Sequence, residues 1–154
     1  MKGNSKVIEA LQDVLSAELT AINQYFIHAE MYENWGLVKL SAKTKQDSIQ
    51  EMKHAEMSIE RMLYLEGEPN MSKYMKINVG TNITDMFKND LELEYNAVAH
   101  LNKIIAVATE AGDNGTRDLF LQILKDEEEH VDYLETQLTL IEQLGLQNFL
   151  SLQA

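Results

Sequence analysis

The sequence has 154 residues, no cysteine and a formal net charge of −12. The acidic balance argues against nucleic-acid binding, which needs a basic face, and the lack of cysteine excludes a disulfide framework and a thiolate metal site. No stretch approaches the roughly 20 apolar residues of a membrane span, and no apolar run typical of a secretory signal follows the N-terminus. We therefore expect a cytoplasmic protein without nucleic-acid or membrane partners, folded as one domain over residues 1–154.

The predicted secondary structure is helical. Leu, Glu, Ala, Met, Lys and Gln dominate the sequence, and these residues are strong helix formers. Apolar residues recur at spacings of three and four, which is typical of amphipathic helices. Gly36, Gly112 and Gly145 interrupt this pattern as turn residues do. Four long helices are predicted, at residues 5–34, 38–65, 83–111 and 116–144.

The connections predict how these helices are arranged. The short turns at Gly36 and Gly112 predict two antiparallel hairpins. Some sixteen residues between them, ending at about residue 82, have little helical periodicity, and when extended at about 3.3 Å per residue they span at most about 50 Å. That distance covers a helix of about 42 Å. The sequence therefore predicts an all-α four-helix bundle with one long crossover between helices 2 and 3, in which residues 76–79 are expected to be extended.

Several apolar residues are not used by the four core stripes. The tail at residues 146–152 is too short to join a four-helix core and too apolar for solvent. We predict a short fifth helix buried against other subunits, with a loose terminus as the alternative. Ile49, Ile59 and Leu63 also lie outside the core stripe of helix 2. Because monomers rarely expose large apolar patches, these residues are predicted to be contacts in a closed symmetric oligomer.

The strongest functional pattern is a Glu-x-x-His motif that occurs twice. The first copy begins at Glu51 and the second at Glu127, 76 residues later. Residues three apart on a helix project from the same face. The same interval relates Glu18 to Glu94, so the chain is interpreted as one helical hairpin used twice. The six candidate metal ligands are Glu18, Glu51, His54, Glu94, Glu127 and His130.

These six residues are predicted to meet near the middle of the bundle. Counted from the turn of its hairpin, each set of three lies at one height to within about a helical turn. All six fall on apolar stripes, where an uncompensated carboxylate costs several kcal/mol. One Glu-x-x-His arises easily by chance in an acidic helix, but two copies with two lone Glu match a di-metal carboxylate site. Carboxylate and imidazole without thiolate favour iron or manganese, with zinc as a competitor.

Three other residues, one tyrosine and two histidines, could also contribute to this centre. Tyr25 lies two turns beyond Glu18 on the same stripe. It is expected either to hydrogen-bond a ligand carboxylate or supply an electron, or to be an ordinary buried tyrosine. His28 and His100 fall off the metal-binding faces and are predicted to be surface residues.

Six short segments are highly specific when they occur together: AINQYF at 21–26, NWGL at 34–37, EMKHA at 51–55, LEG at 65–67, DEE at 126–128 and GLQN at 145–148. With them the sequence resembles the bacterioferritins, essentially from end to end. The resemblance implies a ferritin-like bundle and an iron-storage protein. It further implies a ferroxidase centre of two iron ions per subunit, held by the six candidate ligands, with O₂ or hydrogen peroxide as the oxidant. Tyr25 matches a redox-active tyrosine beside that centre.

The resemblance also implies partners and a second cofactor. The subunits are expected to form a hollow shell of twenty-four, built from dimers, with ferric mineral inside and an electron-donor protein that assists iron release. Haem b is expected between paired subunits, with Met52 of each as axial ligand. Met52 lies about 100° around the helix from Glu51, outside its own core, and a thioether can ligate haem; simple packing in the dimer interface is the alternative. The implied pore residues are Asn34, Glu66 and Asp132.

The sequence departs from the family pattern in places. Gln46 and Gln50 stand where some relatives place a His and an Asp as an additional inner-wall iron site, so that site is predicted to be missing. Ser58 and Tyr133 differ from aromatic positions proposed for electron transfer. Two alternatives remain open. One is a di-iron oxygenase or peroxidase acting on an organic substrate, which needs a pocket that the inward residues are expected to fill. The other is a shell subunit co-assembled with a second ferritin-type subunit.

Overall fold

The computed structural model describes all residues, 1–154, and is helical apart from its connections. The pairs α1/α2 and α3/α4 form two hairpins, and α1 packs on α3. The helices are α1 (Ser5–Asn34), α2 (Val38–Tyr64), α3 (Ile83–Glu110), α4 (Asn114–Leu144) and α5 (Leu146–Ser151). The predicted four-helix bundle with a short fifth helix is confirmed, and the predicted helix ends agree to within two residues.

Side chains and glycines fix the helix ends. Asn4 accepts hydrogen bonds from the backbone N–H groups that open α1, and Asn82 does the same for α3. Asp113 caps α4 through the backbone N–H of Thr116, which is why α4 begins two residues before its predicted start. The turn after α1 places Gly36 at φ 79°, a conformation that costs glycine little.

The core has two apolar clusters, one towards each end of the bundle. The first includes Leu11, Leu15, Met62, Phe120 and Ile123. The second includes Tyr32, Leu40, Met86, Phe87 and Phe149. Between these clusters the helices bury polar and charged side chains instead. The candidate ligands lie in this central polar layer.

The short helix α5 packs on its own subunit. Phe149 is fully buried, and its ring makes an edge-to-face contact with Phe87 at a centroid distance of 6.0 Å. The prediction that the tail is too short to join the core was therefore wrong: one aromatic side chain reaches it because Gly145, at φ 81°, turns the chain back. Leu146 and Leu152 remain exposed.

The crossover runs along α1, as its length predicted, and contains only turns and irregular backbone. Polar side chains spaced four or eight residues apart on one face of α1 bind its backbone. This arrangement satisfies backbone groups that no helix or sheet would satisfy. The bonds join Asn70 N to Gln12 Oε1 (2.8 Å), Met75 N to Thr20 Oγ1 (2.8 Å), Asn78 N to Gln24 Oε1 (3.0 Å) and Gly80 N to His28 Nε2 (3.1 Å).

His28 corrects one sequence prediction. It was predicted to lie on the surface, but it is fully buried. Its Nε2 accepts the N–H of Gly80, and its Nδ1 lies 3.0 Å from Oδ1 of the buried Asp90. The same Asp90 oxygen accepts a hydrogen bond of 2.8 Å from Gln24. His28 therefore links the crossover to both α1 and α3.

We predict that His28→Ala loosens the crossover. The change removes the acceptor of Gly80 and one partner of Asp90, and leaving buried polar groups unpaired costs about 1–3 kcal/mol. Trypsin should cleave faster after Lys73 and Lys76, which are exposed on the crossover. The matched control is Asn23→Ala, an exposed change on the same helix. Equal cleavage rates in the two variants would contradict this role of His28.

Candidate metal centre

All six predicted ligands converge in the central polar layer. Each long helix supplies at least one of them, and none is more than 5% exposed. The Glu-x-x-His spacing places a carboxylate and an imidazole one turn apart on the inner face of α2, and again on α4. The lone Glu18 and Glu94 face them from α1 and α3.

The ligand atoms form two overlapping groups. Within each group, one atom from every residue lies within 4.8 Å of all the others. Glu51 and Glu127 belong to both groups, as expected of carboxylates that lie between two cations. We call these groups the His54 site (Glu18, Glu51, His54, Glu127) and the His130 site (Glu51, Glu94, Glu127, His130).

Several donor atoms of the two sites lack a hydrogen-bond partner and could therefore bind cations. The buried atoms without a hydrogen-bond partner include Glu18 Oε2, both oxygens of Glu51, His54 Nδ1, Glu94 Oε2 and Glu127 Oε1. Buried polar groups in folded proteins are nearly always paired. Oxygen and imidazole nitrogen donors in this number suit divalent iron or manganese. The residues therefore fit a pair of divalent cations.

The outer nitrogen of each ligand histidine has its own partner. His54 Nε2 lies 2.8 Å from Asp126 Oδ2, and His130 Nε2 lies 2.6 Å from Gln50 Oε1. Each oxygen can accept the N–H, which leaves Nδ1 of each ring facing the carboxylates. Sequence reasoning missed both partners, although each directly precedes the Glu of a Glu-x-x-His motif.

Tyr25 is buried beside the His130 site. Its hydroxyl donates a hydrogen bond to Glu94 Oε1, the contact expected if Tyr25 holds a ligand carboxylate. Burial raises the pKa of Tyr25 well above its ordinary value, and the charge of Glu94 adds to this effect. The hydroxyl therefore keeps its proton near neutral pH and can hold Glu94 in place.

Burial dominates the electrostatics of the four carboxyl groups. It raises the pKa of Glu18 and Glu127 to about 7 and that of Glu51 to about 8, and neighbouring carboxylates add to each rise. The pKa of Glu94 rises well above its usual range for the same reasons. Burial alone would lower the pKa of His130, but the carboxylates of Glu51 and Glu94, whose oxygens lie 3.0 Å and 3.3 Å from its Nδ1, outweigh it and raise that pKa to about 11. The metal-free centre thus retains protons at neutral pH.

A cavity of about 410 Å³ opens between α1, α3 and the crossover and reaches the centre. The four ligand carboxylates contribute to its lining. Small residues keep it open, because Ala17, Ala21 and Ala97 line its walls. The expectation that inward residues fill all the space beside the metals was therefore wrong. His100, predicted to be a surface residue, is half-buried and lines this cavity as well.

The positions that depart from the family pattern lie on α2 and α4. Gln46 is exposed, whereas the side-chain oxygen of Gln50 contacts Nε2 of His130. Ser58 is fully buried, and the ring of Tyr133 lies 4.5 Å from Lys43 Nζ. The loss of a separate inner-wall site stays a prediction.

Comparison with known proteins agrees with this geometry. The profile of the ferritin-like domain matches residues 8–144. The chain is 46% identical over 151 residues to a bacterioferritin of Streptomyces coelicolor, covering 98% of this chain and 90% of that one. It is 42% identical over 147 residues to a bacterioferritin of Mycolicibacterium paratuberculosis, covering 96% and 92%. The chain belongs to the bacterioferritin family.

Another relative covers the full length of the fold. A bacterial ferritin of Synechocystis is 44% identical over 154 residues, covering 99% of both chains. No helix of this bacterioferritin-family chain is long and apolar enough to cross a membrane. The sequence resemblance to bacterioferritins and the ferritin-like fold are thus both confirmed.

The raised pKa values predict that the metal-free protein loses stability as pH rises from 5 to 8. Glu51 titrates near 4.5 when unfolded and near 8 when folded, so its contribution to stability falls across that interval. The pKa of His130 is 6.5 in the unfolded chain and about 11 in the folded protein, so its contribution to stability is present at low pH and is lost as the pH rises towards 11. Both effects have the same sign. Thermal unfolding of metal-free protein at several pH values measures them.

Two comparisons isolate the centre from other titrating groups. Glu51→Gln removes one titrating carboxyl, so its unfolding temperature should depend less steeply on pH. Co(II) should raise the unfolding temperature most at pH 8, because the ions replace the protons that the ligands have lost. If metal-free wild-type protein gained stability relative to Glu51→Gln as the pH rises from 5 to 8, the raised pKa of Glu51 would be contradicted.

Proposed function

We propose that the protein binds Fe(II) at the His54 and His130 sites, oxidises it, and stores the ferric product inside a shell of its own subunits. The observation that carries this proposal is that the two ligand groups share Glu51 and Glu127. Two shared carboxylates hold two cations close together, so that both can react with one oxidant molecule.

The side chains perform distinct tasks in this proposal. Glu18 and His54 bind one ion, Glu94 and His130 bind the other, and the shared carboxylates bind both. Four carboxylates balance the charge of two divalent ions, so binding relieves the cost of burying the carboxylates unpaired. Protons retained on the metal-free carboxyl groups leave as the ions enter.

Two Fe(II) ions together supply two electrons, which with two protons reduce one hydrogen peroxide to two waters, or one O₂ to hydrogen peroxide. Both oxidants suit the proposal. Tyr25 lies within hydrogen-bonding contact of Glu94 and is the proposed source of the second electron when hydrogen peroxide meets a single bound Fe(II); the neutral tyrosyl radical that this leaves is reduced by a later Fe(II). Its buried hydroxyl can pass a proton to the carboxylate that it already contacts.

The cavity beside the carboxylates is the proposed entrance for Fe(II) and the oxidant. Asp13 and the ligand carboxylates attract cations into it, and its walls include apolar residues such as Leu93 and Ala97. The pore positions Asn34, Glu66 and Asp132 are exposed, and their role in passage through the shell stays a prediction. So does the cytoplasmic location.

The same cavity favours a second candidate function, oxidation of a small organic substrate at the same centre. Iron storage is preferred because the cavity ends on the candidate ligand carboxylates and because the similar proteins of Mycolicibacterium paratuberculosis and Synechocystis are named a bacterioferritin and a bacterial ferritin. The two functions differ in the fate of the iron. A storage protein oxidises many Fe(II) ions into a mineral that stays with the protein, whereas an oxygenase retains its two iron ions and releases an organic product.

The proposed assembly is a shell of twenty-four subunits built from dimers, either of this chain alone or with a second ferritin-type subunit. Exposed apolar residues on α2 support an interface there: Ile49 is 47% exposed and Leu63 is 59% exposed. Ile59, which was assigned to the same outer face, instead packs partly against its own core. An electron-donor protein for iron release is proposed as a further partner.

Haem at a dimer interface is proposed on the strength of Met52. The side chain is 53% exposed, although the next residue towards the N-terminus, Glu51, is fully buried. Its thioether is therefore available on the outer face of α2, beside Ile49. A thioether is a suitable axial ligand for haem iron, and two copies of Met52 related by a two-fold axis would hold one haem. Bound haem would supply electron transfer for reduction of stored iron.

We predict that Glu18→Ala and His130→Ala each lower the initial rate of Fe(II) oxidation by at least about 10-fold, since even a residue that only supports a metal ligand is worth that much. Stopped-flow absorbance after mixing with O₂, and separately with peroxide, measures the rate. Glu128→Gln is the control, because it removes an exposed carboxylate beside Glu127. Light scattering should give the mass of twenty-four subunits for all variants. Wild-type rates in both ligand variants would refute the centre.

We predict that Met52→Leu abolishes haem binding while assembly and Fe(II) oxidation persist. Leucine preserves apolar contacts but has no sulfur donor. Reconstitution should give wild-type protein one haem per two subunits with a low-spin bis-thioether spectrum. An unchanged spectrum in the variant would mean that Met52 only packs in the interface.

A further inference from the structure

The repeat that relates the ligands also relates their outer partners. Gln50 and Asp126 are 76 residues apart, the interval that separates Glu51 from Glu127. Each one supports the histidine of the other hairpin: Asp126 on α4 contacts His54 on α2, and Gln50 on α2 contacts His130 on α4. The two sites are therefore built on one plan, and any difference between them lies in the chemistry of matched positions.

The first such difference is between a carboxylate and an amide. An anion that accepts the outer N–H of an imidazole increases the electron density on the ligating nitrogen, and this support strengthens metal binding. A neutral amide oxygen accepts the same hydrogen bond with less effect, because charge-assisted hydrogen bonds are roughly twice as strong as neutral ones. His54 has the anionic partner and His130 the neutral one.

The second difference concerns the unshared carboxylates. Glu94 accepts a hydrogen bond from the Tyr25 hydroxyl, which draws electron density from a ligand of the His130 site. The residue that the repeat places opposite Tyr25 is Leu101, which has no hydroxyl to donate to Glu18. Both differences weaken the same site.

No neighbouring anion compensates His130 on its outer side. The closest, Asp47 Oδ1, is 3.8 Å from His130 Nε2, beyond hydrogen-bonding distance. The same oxygen forms an ion pair of 2.7 Å with Lys43. His130 therefore depends on Gln50 alone for its outer hydrogen bond.

We propose that the centre fills in a fixed order, with the His54 site binding divalent cations first and more tightly, and that Asp126 and Gln50 are the positioning residues that set this order. The inference rests on the proposed metal centre. Asp126 and Gln50 would thereby determine which site keeps its ion and which site exchanges it. The His130 site is the exchangeable one.

Co(II) tests the order without oxidation chemistry. Calorimetric titration of the metal-free, assembled protein should show two ions per subunit bound in two steps that differ in affinity by about 10-fold or more. Crystals equilibrated with one Co(II) per subunit should show anomalous scattering chiefly at the His54 site. Equal occupancy of both sites, or preferential occupancy of the His130 site, overturns the proposal.

Matched variants test the two positioning residues. Asp126→Asn keeps the shape and the acceptor but removes the charge, and should weaken the first step about 10–100-fold while sparing the second. Gln50→Glu adds a charge at the equivalent position and should strengthen the second step. Glu128→Gln and Gln122→Glu make the same charge changes at exposed positions of α4 and should leave both steps unchanged.

The outcomes separate this inference from the proposed function. If neither site takes up Co(II), the metal centre itself is wrong. If two ions bind but Asp126→Asn and Gln50→Glu give the wild-type curve, the centre stands and the filling order is not set by these residues. Should Asp126→Asn fail to assemble, the single-equivalent crystals and Gln50→Glu still decide the question.

Discussion

The structure depends on burying four carboxyl groups and two imidazoles in the middle of a helical bundle. Such a layer opposes folding, because each ionised group loses its hydration. Apolar clusters on both sides of the layer hold the helices together, and protons or cations neutralise the carboxyl groups. The pKa shifts and the unpaired oxygen atoms express the same fact, namely that the centre is preorganised for positive charge.

The helices and the cluster of six candidate ligands could be predicted because each has a local or periodic signal. The apolar spacing of three and four defines the helices, the glycines mark their turns, and a repeat of 76 residues distinguishes the ligands from ordinary surface acids. Burial of an acidic residue such as Glu18 is visible in sequence because it interrupts an apolar stripe. These signals need no knowledge of how distant segments meet.

The features that the sequence analysis missed or mispredicted depend instead on how distant segments of the chain meet. His28 was predicted to be a surface residue, and only the path of the crossover shows that it, like Thr20 and Gln24, binds the crossover backbone. Phe149 lies in a tail whose destination depends on a single glycine turn. The support given to His54 by Asp126 crosses between hairpins, so it depends on how the two halves are packed. The cavity likewise arises from helix separation, which sequence periodicity does not encode.

That cavity places access and stability in opposition. Gaps lined by Ala17, Ala21 and Ala97 leave unmade contacts between α1 and α3, and larger side chains there would add packing energy. The same side chains would narrow the approach to the carboxylates. A bundle built only for rigidity and heat resistance would close this gap, so these small residues keep the buried carboxylates accessible at the expense of packing.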